Sequence, residues 1–173
     1  MNGGVKEGGR GKKPGAFGRR GGLCVGALML VAAGLAFGEG GEINTVKPAV
    51  ADRDLVIPLA ELTANAAFYP VDIKGTRLEV LAVKAPDGSV RTAFNTCQVC
   101  YASGRGFYKQ QGTVLVCQNC GSRFRMSQVG IRSGGCNPVP IPDAHKAVGN
   151  GAITISKEFL DGARIIFSRW RRS

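Results

Sequence analysis

A chain of 173 residues supplies one ordinary domain and is too short for two comfortable ones. The formal charge is +11, yet 44% of residues are hydrophobic and only 20% are charged, which excludes a wholly disordered basic protein. Residues 1–22 carry a net +5 and the end from Arg164 onward a net +4, leaving the body at only +2. The basic excess therefore flanks the body instead of forming a patch within it, which argues against nucleic acid as a partner.

Residues 1–22 mix nine glycines with six basic residues and read as a flexible cytoplasmic leader. Leu23 to Phe37 then runs without a charge or a strongly polar group. As a helix it would span roughly 22 Å at 1.5 Å per residue, against a hydrocarbon core of roughly 30 Å. Residues 23–38 fit two roles. One is a cleavable signal peptide ending at the small-x-small triplet Ala36-Phe37-Gly38. The other, which we favour, is a single uncleaved signal anchor, a membrane helix. Either way the positive-inside bias places the rest of the chain outside the cytoplasm. Cys24, early in the apolar run, reads as a small apolar filler.

Residues 39–53 have linker composition, with Pro48 and the Gly40-Gly41 pair opposing regular structure. A domain over 54–168 is expected to follow. Leu55-Val56-Ile57 ahead of Pro58 predicts a short edge strand, and Glu61 to Ala67 a helical turn. Ala67 to Ile73 and Thr76 to Val83, joined by Lys74-Gly75, predict a hairpin. Pro86-Asp87-Gly88-Ser89 is a turn that sends the chain back as a strand from Ser89 to Asn95. Gly112 to Val116, Ala152 to Ile155 and Ala163 to Phe167 predict further short strands. Residues 169–173 read as a frayed basic tail, with Trp170 available to a membrane interface. The fold class is mainly β, a small antiparallel domain of Rieske-like or zinc-ribbon-like type after one N-terminal membrane helix.

Five of the six cysteines fall between 97 and 136. Cys97-Gln98-Val99-Cys100 and Cys117-Gln118-Asn119-Cys120 are two C-x-x-C pairs at the separation of four-thiolate metal sites, where each pair makes a tight turn with amides directed at the sulfurs. Disulfides are the competing reading outside the cytoplasm, but C-x-x-C bridges close very small loops and any pairing leaves one of the five over. No acidic residue lies between Gly88 and Pro142, while Arg91, Arg105, Lys109, Arg123, Arg125 and Arg132 do, a balance that suits an anionic thiolate centre. Structural zinc, a single iron and a two-iron, two-sulfur cluster all use such pairs, so spacing leaves the three open. Cys136 reads first as a further ligand to the same cofactor, with a redox thiol and an intermolecular disulfide as alternatives. His145 reads as an exposed loop residue outside the site.

The segment from Cys117 to Phe124 resembles the second cluster loop of Rieske proteins, with cysteine where those have histidine. More closely, the chain resembles the FtrD-like membrane iron-sulfur family. Four segments carry that resemblance: Cys97-Gln98-Val99-Cys100-Tyr101, Arg105-Gly106-Phe107-Tyr108, Val116 to Phe124, and Gly134-Gly135-Cys136-Asn137-Pro138-Val139-Pro140. The resemblance implies an iron-sulfur centre, a location at a bacterial inner membrane, and an electron-transfer role beside a redox partner or metal-transport proteins, with iron as the expected metal. It implies no chemistry on an organic substrate. A structural zinc module that recruits a partner protein is the alternative, and a thiol-disulfide oxidoreductase is a third.

Overall fold

The structure is a computed structural model, and it describes residues 44–172. The expected leader and membrane helix, residues 1–38, lie outside the described residues, as does Cys24.

The domain is built on a central, mostly antiparallel sheet with a smaller sheet on each face. Its strands are β1 (Thr45–Val46), β2 (Val50–Ala51), β4 (Ala67–Ile73), β5 (Thr76–Lys84), β6 (Val90–Cys97) and β10 (Pro138–Pro140). They run in the order β1-β4-β5-β6-β10, with β2 also on β4. The second sheet places β11 (Lys146–Gly149), β12 (Ala152–Ile155) and β3 (Leu55–Pro58) side by side. The third comprises β7 (Tyr108–Gln111), β8 (Val114–Cys117) and β9 (Arg123–Arg125).

Alternation along the central strands makes this layering, because successive side chains point to opposite faces. Tyr69, Val71, Ile73, Val80, Ala82 and Phe94 face one core, shared with Leu55, Ile57, Ile153 and Ile155 of the second sheet. Phe68, Leu81, Val83, Ala93 and Cys97 face the other, shared with Tyr108, Leu115, Cys117 and Phe124 of the third sheet. A sheet buried on both sides explains why period two is only partly visible in the sequence: both sets of positions are apolar.

The expected hairpin forms between β4 and β5, with Ile73 opposite Thr76 and both loop residues at positive φ (Lys74 47°, Gly75 75°). Such a two-residue loop matches the twist of the paired strands. The 86–89 turn is closed by Asp87, whose Oδ1 accepts from the Ser89 amide at 3.0 Å. β3 lies at the edge of its sheet, as Pro58 requires.

Three expectations give way. Residues 45–51 are not wholly irregular: β1 and β2 run parallel to β4, pairing Thr45 with Ala67 and Val50 with Val71. The edge is interrupted where Pro48 and Pro70 lack amide donors, which leaves two short strands in place of one. Ala163–Phe167 is a 3-10 turn that continues helix α1 (Lys157–Gly162), not a strand. Ser156 caps that helix through the Phe159 amide (3.3 Å), and Leu160 and Phe167 plug into the first core. The early helical turn falls at Leu59–Glu61, while Ala67 already belongs to β4.

The tail is also packed instead of frayed. Trp170 donates from Nε1 to the Asn95 carbonyl (3.0 Å) and meets the rings of Phe107 and Phe167 edge-on. The Arg171 amide donates to the Gly104 carbonyl at 2.8 Å. Arg172 pairs with the buried Glu79 and lies over the Phe68 ring, 4.6 Å from its centroid.

Candidate metal centre

Strand ends bring the cysteines together. Cys97 closes β6, Cys117 closes β8, and β7 is the connecting rung, with Tyr108 paired to Cys117. The Cys97 amide donates to the Gly106 carbonyl at 2.6 Å and the Gln118 amide to the Phe107 carbonyl at 2.8 Å. Segment 106–107 is thereby bonded to both C-x-x-C turns. Both turns have the same design: Cys97 accepts from the amides of Val99 and Cys100, and Cys117 from those of Asn119 and Cys120.

The sulfurs of Cys97, Cys100 and Cys117 lie within 4.8 Å of one another, and so do those of Cys100, Cys120 and Cys136. Cys100 thus belongs to both groups. Cys97, Cys100 and Cys117 are buried, Cys136 is half-buried and Cys120 is exposed, so the assembly has an inner and an outer side. All five are free thiols. Cys136 is held by its neighbours: the Gln98 amide donates to the Asn137 carbonyl (3.1 Å) and the Gly134 amide to Gln98 Oε1 (2.7 Å). Asn137 Nδ2 donates to the carbonyls of Arg132 and Pro138.

Without a metal the thiols share protons unequally. The Cys117 thiol donates to Cys97 and, with the Tyr108 hydroxyl and the two amides, holds Cys97 down to about 4 in spite of burial. Cys117 is correspondingly pushed up, first by that same bond and then by burial. Burial also raises Cys100. On the outer side, the Ser122 hydroxyl and amide bring Cys120 down to about 6. For Cys136 the Ser122 bond acts downward, but Cys120, burial and the Cys97 charge outweigh it and push the thiol up to about 11. Hydrogen bonds thus favour the thiolate form of one cysteine on each side of the site, the form a thiophilic cation binds.

The groups that act on the sulfurs are amides, Tyr108, Ser122 and Asn119. Arg105, Arg123, Arg125 and Arg132, grouped with the cysteines by sequence, are solvent-exposed side chains. His145 is exposed and stacks on Phe159 with centroids 4.1 Å apart, among residues of the first core rather than the thiols.

Several residues around the site escaped the sequence reading. Tyr108 is fully buried, and its hydroxyl makes no hydrogen bond of ordinary geometry; Cys97 is the neighbour that acts on it most among the thiols. Asn95 fixes it by accepting from the Tyr108 amide (2.8 Å) and donating to its carbonyl (3.2 Å). Asn95 also donates to Glu79 (2.6 Å), which Arg172 neutralises. A glutamate and an asparagine interrupting two apolar strands were the available signal for this network. Nothing in the sequence pointed to Arg172.

A small β domain that converges five thiols from two matched C-x-x-C turns and a third loop is a thiolate metal-binding domain. The donor set suits an iron-sulfur centre: among the described residues only sulfur ligands are grouped, and backbone amides are directed at three of them. The chain belongs to the FtrD-like family, described as membrane iron-sulfur containing proteins, whose model matches residues 62–167. No curated protein and no solved structure matches it. Among the described residues, no helix is long and apolar enough to cross a membrane.

Proposed function

We propose that this protein is a membrane-anchored, extracytoplasmic electron carrier whose iron-sulfur centre is a two-iron, two-sulfur cluster held by Cys97, Cys100, Cys117 and Cys120. The observation that carries this reading is the convergence of two amide-lined C-x-x-C turns within the span matched by an iron-sulfur family. When bound, the centre supplies a one-electron couple. The chain supplies the rest: it buries the inner sulfurs, directs amides and the Tyr108 hydroxyl at them, and leaves the outer side near solvent. Val99 and Tyr101, exposed beside the centre, give a redox partner an apolar rim to dock on. On this reading the process the electron transfer serves is metal transport, iron first. Among the described residues the grouped ligands are all sulfurs, which supports electron relay.

Anaerobic purification followed by visible spectroscopy and iron and sulfide analysis tests this. Coloured protein that bleaches on reduction, with iron and acid-labile sulfide in equal amounts, is expected. A colourless protein with stoichiometric zinc would instead establish the structural metal module.

A further inference from the structure

Four thiolates complete an iron-sulfur centre of this kind, and five converge here. The surplus is on the outer side. Cys120 and Cys136 sit with sulfurs 3.7 Å apart, each within 4.8 Å of the Cys100 sulfur. Neither accompanies Cys97 and Cys117 in the inner group. Their relation to the shared Cys100 is thus equivalent, and each has the Ser122 hydroxyl as a hydrogen-bonding neighbour.

The position of Cys136 is also built. Gly134 and Gly135 both take positive φ (86° and 87°), a shape that side chains resist, and the Gln98 and Asn137 bonds tie this loop to the first C-x-x-C turn. A thiol of no consequence to the centre would not need its loop fastened to the residues between two ligands.

We propose that Cys120 and Cys136 are interchangeable ligands for one outer coordination position, so that the centre is held permanently from inside and exchangeably from outside. This rests on the iron-sulfur reading above. In the exchange, the Cys136 Sγ–metal bond forms as the Cys120 Sγ–metal bond breaks, and the proton leaving the incoming thiol passes to the departing sulfur along their contact. No electron is gained or lost.

The test begins with the full-length holoprotein, alkylated anaerobically with one equivalent of iodoacetamide and mapped by peptide mass spectrometry. Label divided between Cys120 and Cys136, with Cys97, Cys100 and Cys117 protected, is expected; label confined to either one overturns the proposal. Cys120→Ser and Cys136→Ser should each keep the parent's iron content with an altered absorption spectrum, and the double variant should lose the centre. Loss in either single variant, or retention in the double, also overturns it. If the parent carries no iron or sulfide, the iron-sulfur reading fails. The same labelling on protein loaded with Co(II) then judges the exchange by itself, with the same two outcomes.

Discussion

Arg172→Ala isolates the charge relay that fastens the C-terminus to the site. Arg172 and Glu79 are almost wholly enclosed, with side-chain exposures of 12% and 3%. Removing the arginine leaves Glu79 with Asn95 as its remaining hydrogen-bond partner. Breaking a buried pair by deleting one partner costs about 3 to 5 kcal/mol. The carboxylate can escape part of this by taking a proton. An ordinary glutamate titrates near ~4.3, and each pH unit corresponds to about 1.4 kcal/mol, so neutralisation at pH 7 costs at most about 3.7 kcal/mol. The expected loss is therefore about 2 to 4 kcal/mol, a fall of the urea midpoint on the order of 1 to 2 M. The pH dependence has a defined sign. Burial already raises Glu79 above its unfolded value even with Arg172 and Asn95 pulling it down. The folded state thus holds the proton more tightly, and stability falls as pH rises from the ordinary carboxylate range through the raised value. In the variant that fall is deeper. Its deficit shrinks toward about 1 kcal/mol, the lost Arg172 contact with Phe68, once Glu79 is protonated in both states. Urea titrations of both holoproteins at neutral and acidic pH, with Glu79→Gln/Arg172→Ala as the control that removes the orphaned charge, measure it. A deficit below about 0.5 kcal/mol at neutral pH, or one independent of pH, would refute the relay.

Tyr108→Phe removes a hydroxyl beside Cys97 and keeps the fully buried ring that packs there. A hydrogen bond worth about 1 kcal/mol more to the reduced centre corresponds to a potential on the order of 40 mV lower in the variant, read by redox titration; an unchanged potential would show that the hydroxyl does not reach the sulfur. Gly106→Ala would put a methyl 2.6 Å from the Cys100 carbonyl carbon, so the first C-x-x-C turn must move. Iron content should drop while circular dichroism keeps its β signature, and full occupancy would contradict the packing described. Truncation after Ser168 removes the Trp170 bond to Asn95 and the Arg171 bond to Gly104. It should accelerate hydrogen exchange in the Cys97 to Phe107 segment, where an unchanged rate would make the tail a passenger.

What the sequence made legible was local. The Lys74-Gly75 and 86–89 turns, the β4-β5 hairpin and the C-x-x-C pairs each rest on residues adjacent in the chain, where turn chemistry and spacing act directly. What it hid was long-range. Ala163–Phe167 is rich in branched residues, yet it follows a capped helix and buries Phe167 by continuing the coil, so context overrode propensity. Trp170 and Arg172 looked like solvated tail because their partners, Asn95 and Glu79, lie on central strands far away in sequence. The arginines near the cysteines in sequence are turned outward because the sulfurs meet short-range amides and hydroxyls instead of long cations. Cys136 had no motif partner, and only the β10 loop docked against Gln98 brings it to Cys120.

Whether the inner thiols hold an iron-sulfur centre is decided by electron paramagnetic resonance on anaerobically purified, dithionite-reduced protein beside Cys117→Ser. A two-iron signal of one spin per chain in the parent, absent from Cys117→Ser along with its iron and sulfide, is the predicted result. A silent parent with no iron, or an undiminished signal after loss of Cys117, would show that the inner thiols hold no such centre.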